Sequence, residues 1–329
     1  MIKTPYTPSD VARIVKVGHE QFENEAQVTS ILGQDGVAIR LASWEPYLTN
    51  GDQVRGTVLM LNGFTEFIEK YSEVVQEFRS RNYHVISFDW RGQGLSRRFL
   101  EDRQKGYVDS FSKMVADAME IYDSFVKPLP RPHILFGHSM GGCVGMRVLQ
   151  KTDTTFDYAV LSAPMFGWDY PALVAQFAAS CMIFAGRGKD YALGVGPPGP
   201  DSEMEETIYD RLTSDYMRIK RICKYYRAEP RFWMGGPTWK WVLEGAKHMR
   251  RVMNPRNMDR LKVPTLLVSP LDDKIVEPKY HENASNLSKK ITLIKVSGCK
   301  HEILMETDPL REIFWNNFDQ FVADESDAS

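Results

Sequence analysis

The 329-residue chain is 43% apolar and carries a formal net charge of −2. That composition supports a large buried core, and so balanced a charge argues against a nucleic-acid-binding face. The four cysteines, Cys143, Cys181, Cys223 and Cys299, form no C-x-x-C pair, so a zinc site or a redox dithiol is not expected.

Met1 to Asp10 is polar and shows no signal-peptide apolar region. Ser9 to Gln27 has helical or irregular character. Val37 to Trp44 alternates apolar and polar residues, as an early or edge strand does. Thr57 to Leu61 is an apolar run that ends in Asn62-Gly63, which predicts a buried strand meeting a tight loop. Helical spacing covers Glu69 to Arg81, and Tyr83 to Phe88 reads as another buried strand. Phe111 to Val126 is an amphipathic helix. Ile134 to Phe136, Ser139 and the helix Cys143 to Gln150 follow, then the strand Tyr158 to Leu161. The alternation predicts an α/β fold, a mostly parallel, doubly wound sheet with helices on both faces.

The alternation stops after Ala163-Pro164. Glycine and proline clusters separate helical segments as far as Asn254. The most apolar window there, Ala172 to Ala185, is too short to cross a bilayer. Strand character returns at Val263 to Val268. A helix at Pro278 to Leu287, the strand Ile291 to Val296 and a helix at Pro309 to Val322 complete the pattern. Ala323 to Ser329 is expected to fray. Residues 1–163 and 255–329 are therefore expected to form one core, interrupted by a helical insertion over 164–254.

Gly137-His138-Ser139-Met140-Gly141 is a G-x-S-x-G motif between a strand and a helix. A strand turning abruptly into a helix has no room for side chains beside the turn, and the serine at its apex stands clear at a helix N-terminus. Ser139 is the candidate nucleophile. A serine hydroxyl needs a histidine base, and the base needs a carboxylate, in the chain order Ser, acid, His. Of the later histidines, His301 follows a strand in a loop, whereas His281 falls in a helix and His248 in the insertion. The acid is expected after the strand Val263 to Val268, where Asp272 and Asp273 compete. Two backbone N–H donors should face the developing oxyanion. One is Met140, which follows the nucleophile. The other is Phe64, in the loop after Thr57 to Leu61, with Gly63 providing freedom at the turn.

Leu-Asn-Gly-Phe-Thr-Glu-Phe, Asp-Trp-Arg-Gly-Gln-Gly-Leu-Ser, Gly-His-Ser-Met-Gly-Gly, Leu-Asp-Asp-Lys-Ile-Val and Gly-Cys-Lys-His-Glu occur in this order. The chain from Val37 to Val322 resembles α/β-hydrolases of the lysophospholipase and monoacylglycerol lipase group, with the bacterial lysophospholipases as the nearest branch. The resemblance implies an α/β-hydrolase fold with Ser139 as nucleophile, Asp273 as acid and His301 as base. Where the family has His-Gly and Arg-Gly-His-Gly, this chain has Asn62-Gly63 and Arg91-Gly92-Gln93-Gly94. Asp89, Arg91 and Glu66 match the motifs and are read as holding loops near the site.

The insertion corresponds to the family's cap. Its aromatics and methionines, Met165, Trp168, Tyr170, Phe177, Met182, Phe184, Trp233, Met234, Trp239 and Trp241, are candidates to line an acyl channel. Phe64 and Met140 side chains are expected to face the same pocket. The basic stretch Arg218, Lys220, Arg221, Lys224 and Arg227 is a candidate for peripheral docking on anionic phospholipid. The implied function is hydrolysis of a lysophospholipid or monoacylglycerol ester through an acyl-enzyme, with no cofactor and no metal, in the cytoplasm. A serine aminopeptidase is the nearest rival enzyme. A non-catalytic ligand-binding hydrolase fold is the alternative of another class. The sequence assigns no oligomeric state.

Overall fold

The computed structural model describes residues 12–33, 35–49, 51–151, 155–197 and 201–327. In chain order the elements are α1 (Glu20–Asn24), β1 (Gln27–Leu32), β2 (Ala38–Trp44), β3 (Gly56–Leu61), α2 (Ser72–Ser80), β4 (Tyr83–Phe88), α3 (Phe111–Ile121), β5 (His133–His138), α4 (Met140–Leu149) and β6 (Tyr158–Ser162). The segment between β6 and β7 carries α5 (Ala172–Phe184), α6 (Asp201–Arg211), α7 (Tyr216–Ala228), α8 (Trp239–Val252) and α9 (Pro255–Met258). The chain ends with β7 (Thr265–Pro270), α10 (Lys279–Leu287), β8 (Ile291–Val296) and α11 (Asp308–Asp327).

The sheet order is β1-β2-β4-β3-β5-β6-β7-β8. β2 is antiparallel to both neighbours, and from β4 to β8 every pairing is parallel. The strands β3, β5, β6 and β7 are buried along their whole length, as the continuous apolar runs require. Alternate residues feed two cores. Leu59, Leu61, Leu135, Leu161 and Leu267 pack with α3 and α4 on one face. Val58, Met60, Ile134, Phe136, Val160 and Leu266 pack with α2 and α11 on the other. Phe314 and Phe318 of α11 are fully buried there, and each such ring contributes about 1.5–3 kcal/mol by leaving water.

Two sequence expectations change. β1 was not expected. Its side chains are half-exposed or exposed at the sheet edge, so its six residues carry no buried-strand signature. The expected fraying of Ala323 to Ser329 is corrected through Asp327, because α11 continues that far. Residues 328–329 and the N-terminal residues 1–11 lie outside the described residues. No helix among the described residues is long and apolar enough to cross a membrane.

Candidate active site

Ser139 joins β5 directly to α4 with φ 51° and ψ −117°. A left-handed φ is uncommon for a residue with a Cβ, so its neighbours must hold it. Its N–H donates to the Ser162 carbonyl (3.0 Å), and its carbonyl accepts from Cys143 (3.1 Å) and Met165 (2.9 Å). The flanking glycines are needed for close approach. A Cβ on Gly137 would lie 2.8 Å from the Gly142 Cα. A Cβ on Gly141 would lie 2.5 Å from the Asn62 carbonyl oxygen and nearer still to that of Leu61. α4 therefore begins pressed against the end of β3.

His301, in the loop after β8, directs Nε2 to Ser139 Oγ at 2.9 Å. Its Nδ1 lies 2.6 Å from Asp273 Oδ2, after β7. Asp273 Oδ1 accepts the N–H groups of Ile275 (2.7 Å) and Val276 (2.9 Å), so both its oxygens are engaged. Asp272 is exposed, and its N–H donates to the Cys299 carbonyl (3.1 Å). The chain turns one of two adjacent aspartates inward. Burial favours the uncharged form of each partner, while the field of each favours the charged form of the other. The His301 pKa is raised because the Asp273 charge and hydrogen bond outweigh burial. The Asp273 pKa is lowered because His301 and the two backbone donors outweigh burial. The arrangement suits proton transfer between a serine hydroxyl and an imidazole held in one orientation.

The loop after β3 and the first turn of α4 each supply one unengaged donor. Among the described residues, neither the Phe64 nor the Met140 N–H makes a hydrogen bond. The Gly63 N–H is taken by Glu66 Oε2, which leaves Phe64 as the free donor. Asn62 fixes the loop's start. Its Nδ2 donates to the Phe88 carbonyl (3.0 Å), and its carbonyl accepts from Trp90 Nε1 (2.7 Å). The unusual backbone is at Thr65, with φ 64°, not at Gly63. Gly63 is required instead by the nearness of Glu66, since a Cβ there would lie 2.6 Å from Glu66 Oε2. Met140 is fully buried in the core, and the Phe64 ring lies 4.5 Å from that of Trp241.

His281 is structural, between Ser269 Oγ (2.7 Å) and the Pro164 carbonyl (2.8 Å). His248 is buried inside α8. Asp89 receives Arg40 Nε (2.8 Å) and the N–H groups of Ile68 (2.9 Å) and Leu95 (2.7 Å). Arg91 pairs with Asp117 and Asp35. The expected basic docking stretch is partly committed, because Arg218 bonds Glu73 and Asp215 and Arg221 bonds Glu73. Reading the sequence passed over Lys70, which joins Glu66 to Glu302. Glu66 precedes the helical residues Ile68–Tyr71, so no helical spacing marked this pair in the sequence.

A mostly parallel sheet, with a strained serine where its central strand enters a helix, defines an α/β-hydrolase. The chain belongs to the Hydrolase_4 family, described as serine aminopeptidase, S33, whose profile matches residues 52–308. Within the α/β-hydrolases it falls in the lysophospholipase and monoacylglycerol lipase group. It is 29% identical over 273 residues to the probable lysophospholipase L2 of Haemophilus influenzae, covering 82% of this chain and 84% of that protein. It is 28% identical over 301 residues to lysophospholipase L2 of Escherichia coli, covering 88% and 84%. A solved soluble variant of monoglyceride lipase from Saccharomyces cerevisiae, in complex with a substrate analog, shares the fold with a TM-score of 0.70. It is 18% identical and covers 91% of this chain and 96% of that one.

Proposed function

We propose that this chain is a serine hydrolase cleaving the carboxylic ester of a single-chain lipid, a lysophospholipid or monoacylglycerol, through an acyl-enzyme on Ser139. The observation that carries it is the continuous line Ser139–His301–Asp273, at 2.9 and 2.6 Å. Ser139 Oγ attacks the ester carbonyl carbon as its proton passes to His301 Nε2. The carbonyl oxygen becomes an anion facing the Phe64 and Met140 N–H groups. Collapse breaks the bond to the alcohol, which leaves with the proton from His301. Water then loses a proton to His301 and attacks the acyl carbon, and Ser139 recovers its proton as the fatty acid departs. Asp273 orients the imidazole and steadies its charged form.

In this reading 1–163 and 255–329 form the catalytic core and 164–254 the cap. A cavity of about 450 Å³ opens beside Thr65 and Lys70, with Ile208, Leu212, Ile222 and Met234 of the cap among its walls. Its size and lining suit an acyl chain. Of the cap aromatics and methionines singled out in the sequence, only Met234 lines it. Peripheral membrane contact is better assigned to α5 than to the basic stretch. α5 has no charged residue, and Leu173, Val174, Phe177 and Phe184 are exposed, Phe184 to 96%.

A fluorophosphonate probe should label the wild type and not Ser139→Ala. A panel of nitrophenyl esters of graded length, lysophospholipid, monoacylglycerol and aminoacyl arylamides decides the substrate. Preference for the arylamides over every ester would establish the aminopeptidase reading that the family's description keeps open.

A further inference from the structure

Lys70 Nζ lies 2.7 Å from Glu66 Oε1 and 2.6 Å from Glu302 Oε1, and the three side chains are 7%, 4% and 6% exposed. Glu66 belongs to the loop carrying the Phe64 N–H, and Glu302 directly follows His301. A single ammonium thus joins the two loops whose groups must meet at the reacting carbonyl. Each end is tied further into the site. Glu66 Oε2 accepts the Gly63 N–H and the Tyr71 hydroxyl (2.5 Å). His138, next to Ser139, sets its ring 4.9 Å from that of His301, and its Nε2 is 3.9 Å from Glu66 Oε1. Burial depresses the His138 pKa to about 4, so this last contact is not an ion pair at neutral pH.

The remaining oxygen of this group, Glu302 Oε2, is buried and has no hydrogen-bond partner among the described residues. It borders a cavity of about 10 Å³ shared with Glu66, Tyr71 and His138, room for one water with several polar partners. Glu66, His138 and Glu302 also bring ligand atoms within 4.8 Å of one another. The ammonium of Lys70 already stands against both carboxylates, however, and would repel a metal cation there.

We propose that Lys70 is a positioning residue. It clamps Glu66 to Glu302, with one buried water completing Glu302, and so sets the Phe64 donor at a fixed distance from His301. The physical ground is that a buried ion pair adds little stability over apolar packing but enforces one geometry. The inference rests on the hydrolase reading above.

The test is steady-state turnover of a soluble nitrophenyl ester by folded, thermally characterised variants. Lys70→Met and Glu302→Ala should each lower kcat by about ten- to a hundredfold, because a donor displaced by a fraction of an ångström loses transition-state contact. KM should stay within a few fold. Glu302→Gln, whose amide oxygen still accepts from Lys70, should recover most of what alanine loses. The double variant Lys70→Met/Glu302→Ala should be no slower than Lys70→Met. Should the buried-charge variants fail to fold, Tyr71→Phe removes one hydroxyl from Glu66 and should still lower kcat several-fold at constant KM. Wild-type kcat in folded Glu302→Ala, effects that multiply in the double variant, or an unchanged kcat in Tyr71→Phe each overturn the clamp. A wild type that neither turns over esters nor takes the fluorophosphonate overturns the hydrolase reading itself.

Discussion

Gly141→Ala tests whether the serine turn and the oxyanion loop are one rigid unit. The new Cβ would meet two backbone carbonyls, those of Leu61 and Asn62, the latter at 2.5 Å. No rotamer change relieves a clash with backbone, so α4 and the end of β3 must separate. Clearing Leu61 takes on the order of 1 Å, and misplacement of that size costs about a hundredfold in rate. The overpacking itself should cost about 1–3 kcal/mol of stability. Gly145→Ala, one turn later on the same helix, is the control. Its Cβ would meet Leu135 Cδ2 at 2.8 Å and Leu61 Cδ1 at 3.1 Å, both ends of flexible side chains. Urea unfolding and kcat for a short nitrophenyl ester should be measured on both. Gly145→Ala should remain within about threefold of wild-type kcat, because the ends of two buried leucine side chains can give way without moving backbone. Gly141→Ala should lose roughly two orders of magnitude in kcat even at urea concentrations where it is fully folded. Equal kcat values for folded Gly141→Ala and Gly145→Ala would refute the reasoning.

The His301 pKa is raised above its ordinary 6.5, and the base works only when neutral. Hence kcat/KM should fall as pH drops through a value above 6.5. Asp273→Asn removes the raising influence and leaves burial, so this acid limb should move to lower pH while kcat drops by roughly 10³–10⁴; a limb that stays in place contradicts the assignment. Arg40 is fully buried between Glu69 and Asp89. Arg40→Met should destabilise by about 3–5 kcal/mol in urea unfolding, since two carboxylates remain buried without it. Phe177→Ser/Phe184→Ser should weaken co-sedimentation with anionic phospholipid vesicles and leave turnover of a soluble ester unchanged. Undiminished sedimentation would remove α5 as the contact.

How far the site could be read from the chain depends on how local its signals are. Ser139 was legible because the motif, the strand before it and the helix after it are contiguous. His301 was legible because the chemistry demands a histidine in a loop late in the chain. Asp272 and Asp273 could not be separated by spacing, since the choice depends on how the backbone turns. The turn is made by Asp273 Oδ1 accepting two following N–H groups. The Lys70–Glu302 contact spans 232 positions and left no trace in either local sequence. β1 escaped because an edge strand with half-exposed side chains has no apolar period. The helical segment between β6 and β7 was legible as an interruption, but the surroundings of its side chains were not. Residues chosen there for size and apolarity divided among core, cavity and open surface, as Trp241, Met234 and Phe184 show.

The distribution of backbone strain separates function from ordinary turn-making. Among the described residues, four non-glycine residues have left-handed φ: Thr65, Asn82, Ser139 and Ala163. Asn82 lies in the turn that leads into β4, and asparagine tolerates this conformation. Thr65, Ser139 and Ala163 do not have that excuse. They follow β3, β5 and β6, which are adjacent in the sheet, so the strain is gathered at the carboxyl ends of three neighbouring strands. Each such residue costs on the order of 1–3 kcal/mol. A β-branched threonine beside the Phe64 donor is the least expected of the three. The buried ion groups lie at the same edge, Glu66–Lys70–Glu302 against the Thr65 loop and Arg40–Glu69–Asp89 against the turns after β3 and β4. Buried ion pairs are poor sources of stability but good sources of fixed geometry. Strained turns would relax if their surroundings were compliant. Strain and buried charge at one edge of an otherwise apolar, close-packed sheet are therefore two halves of one requirement of the proposed mechanism: its donors and nucleophile held in place before the substrate arrives.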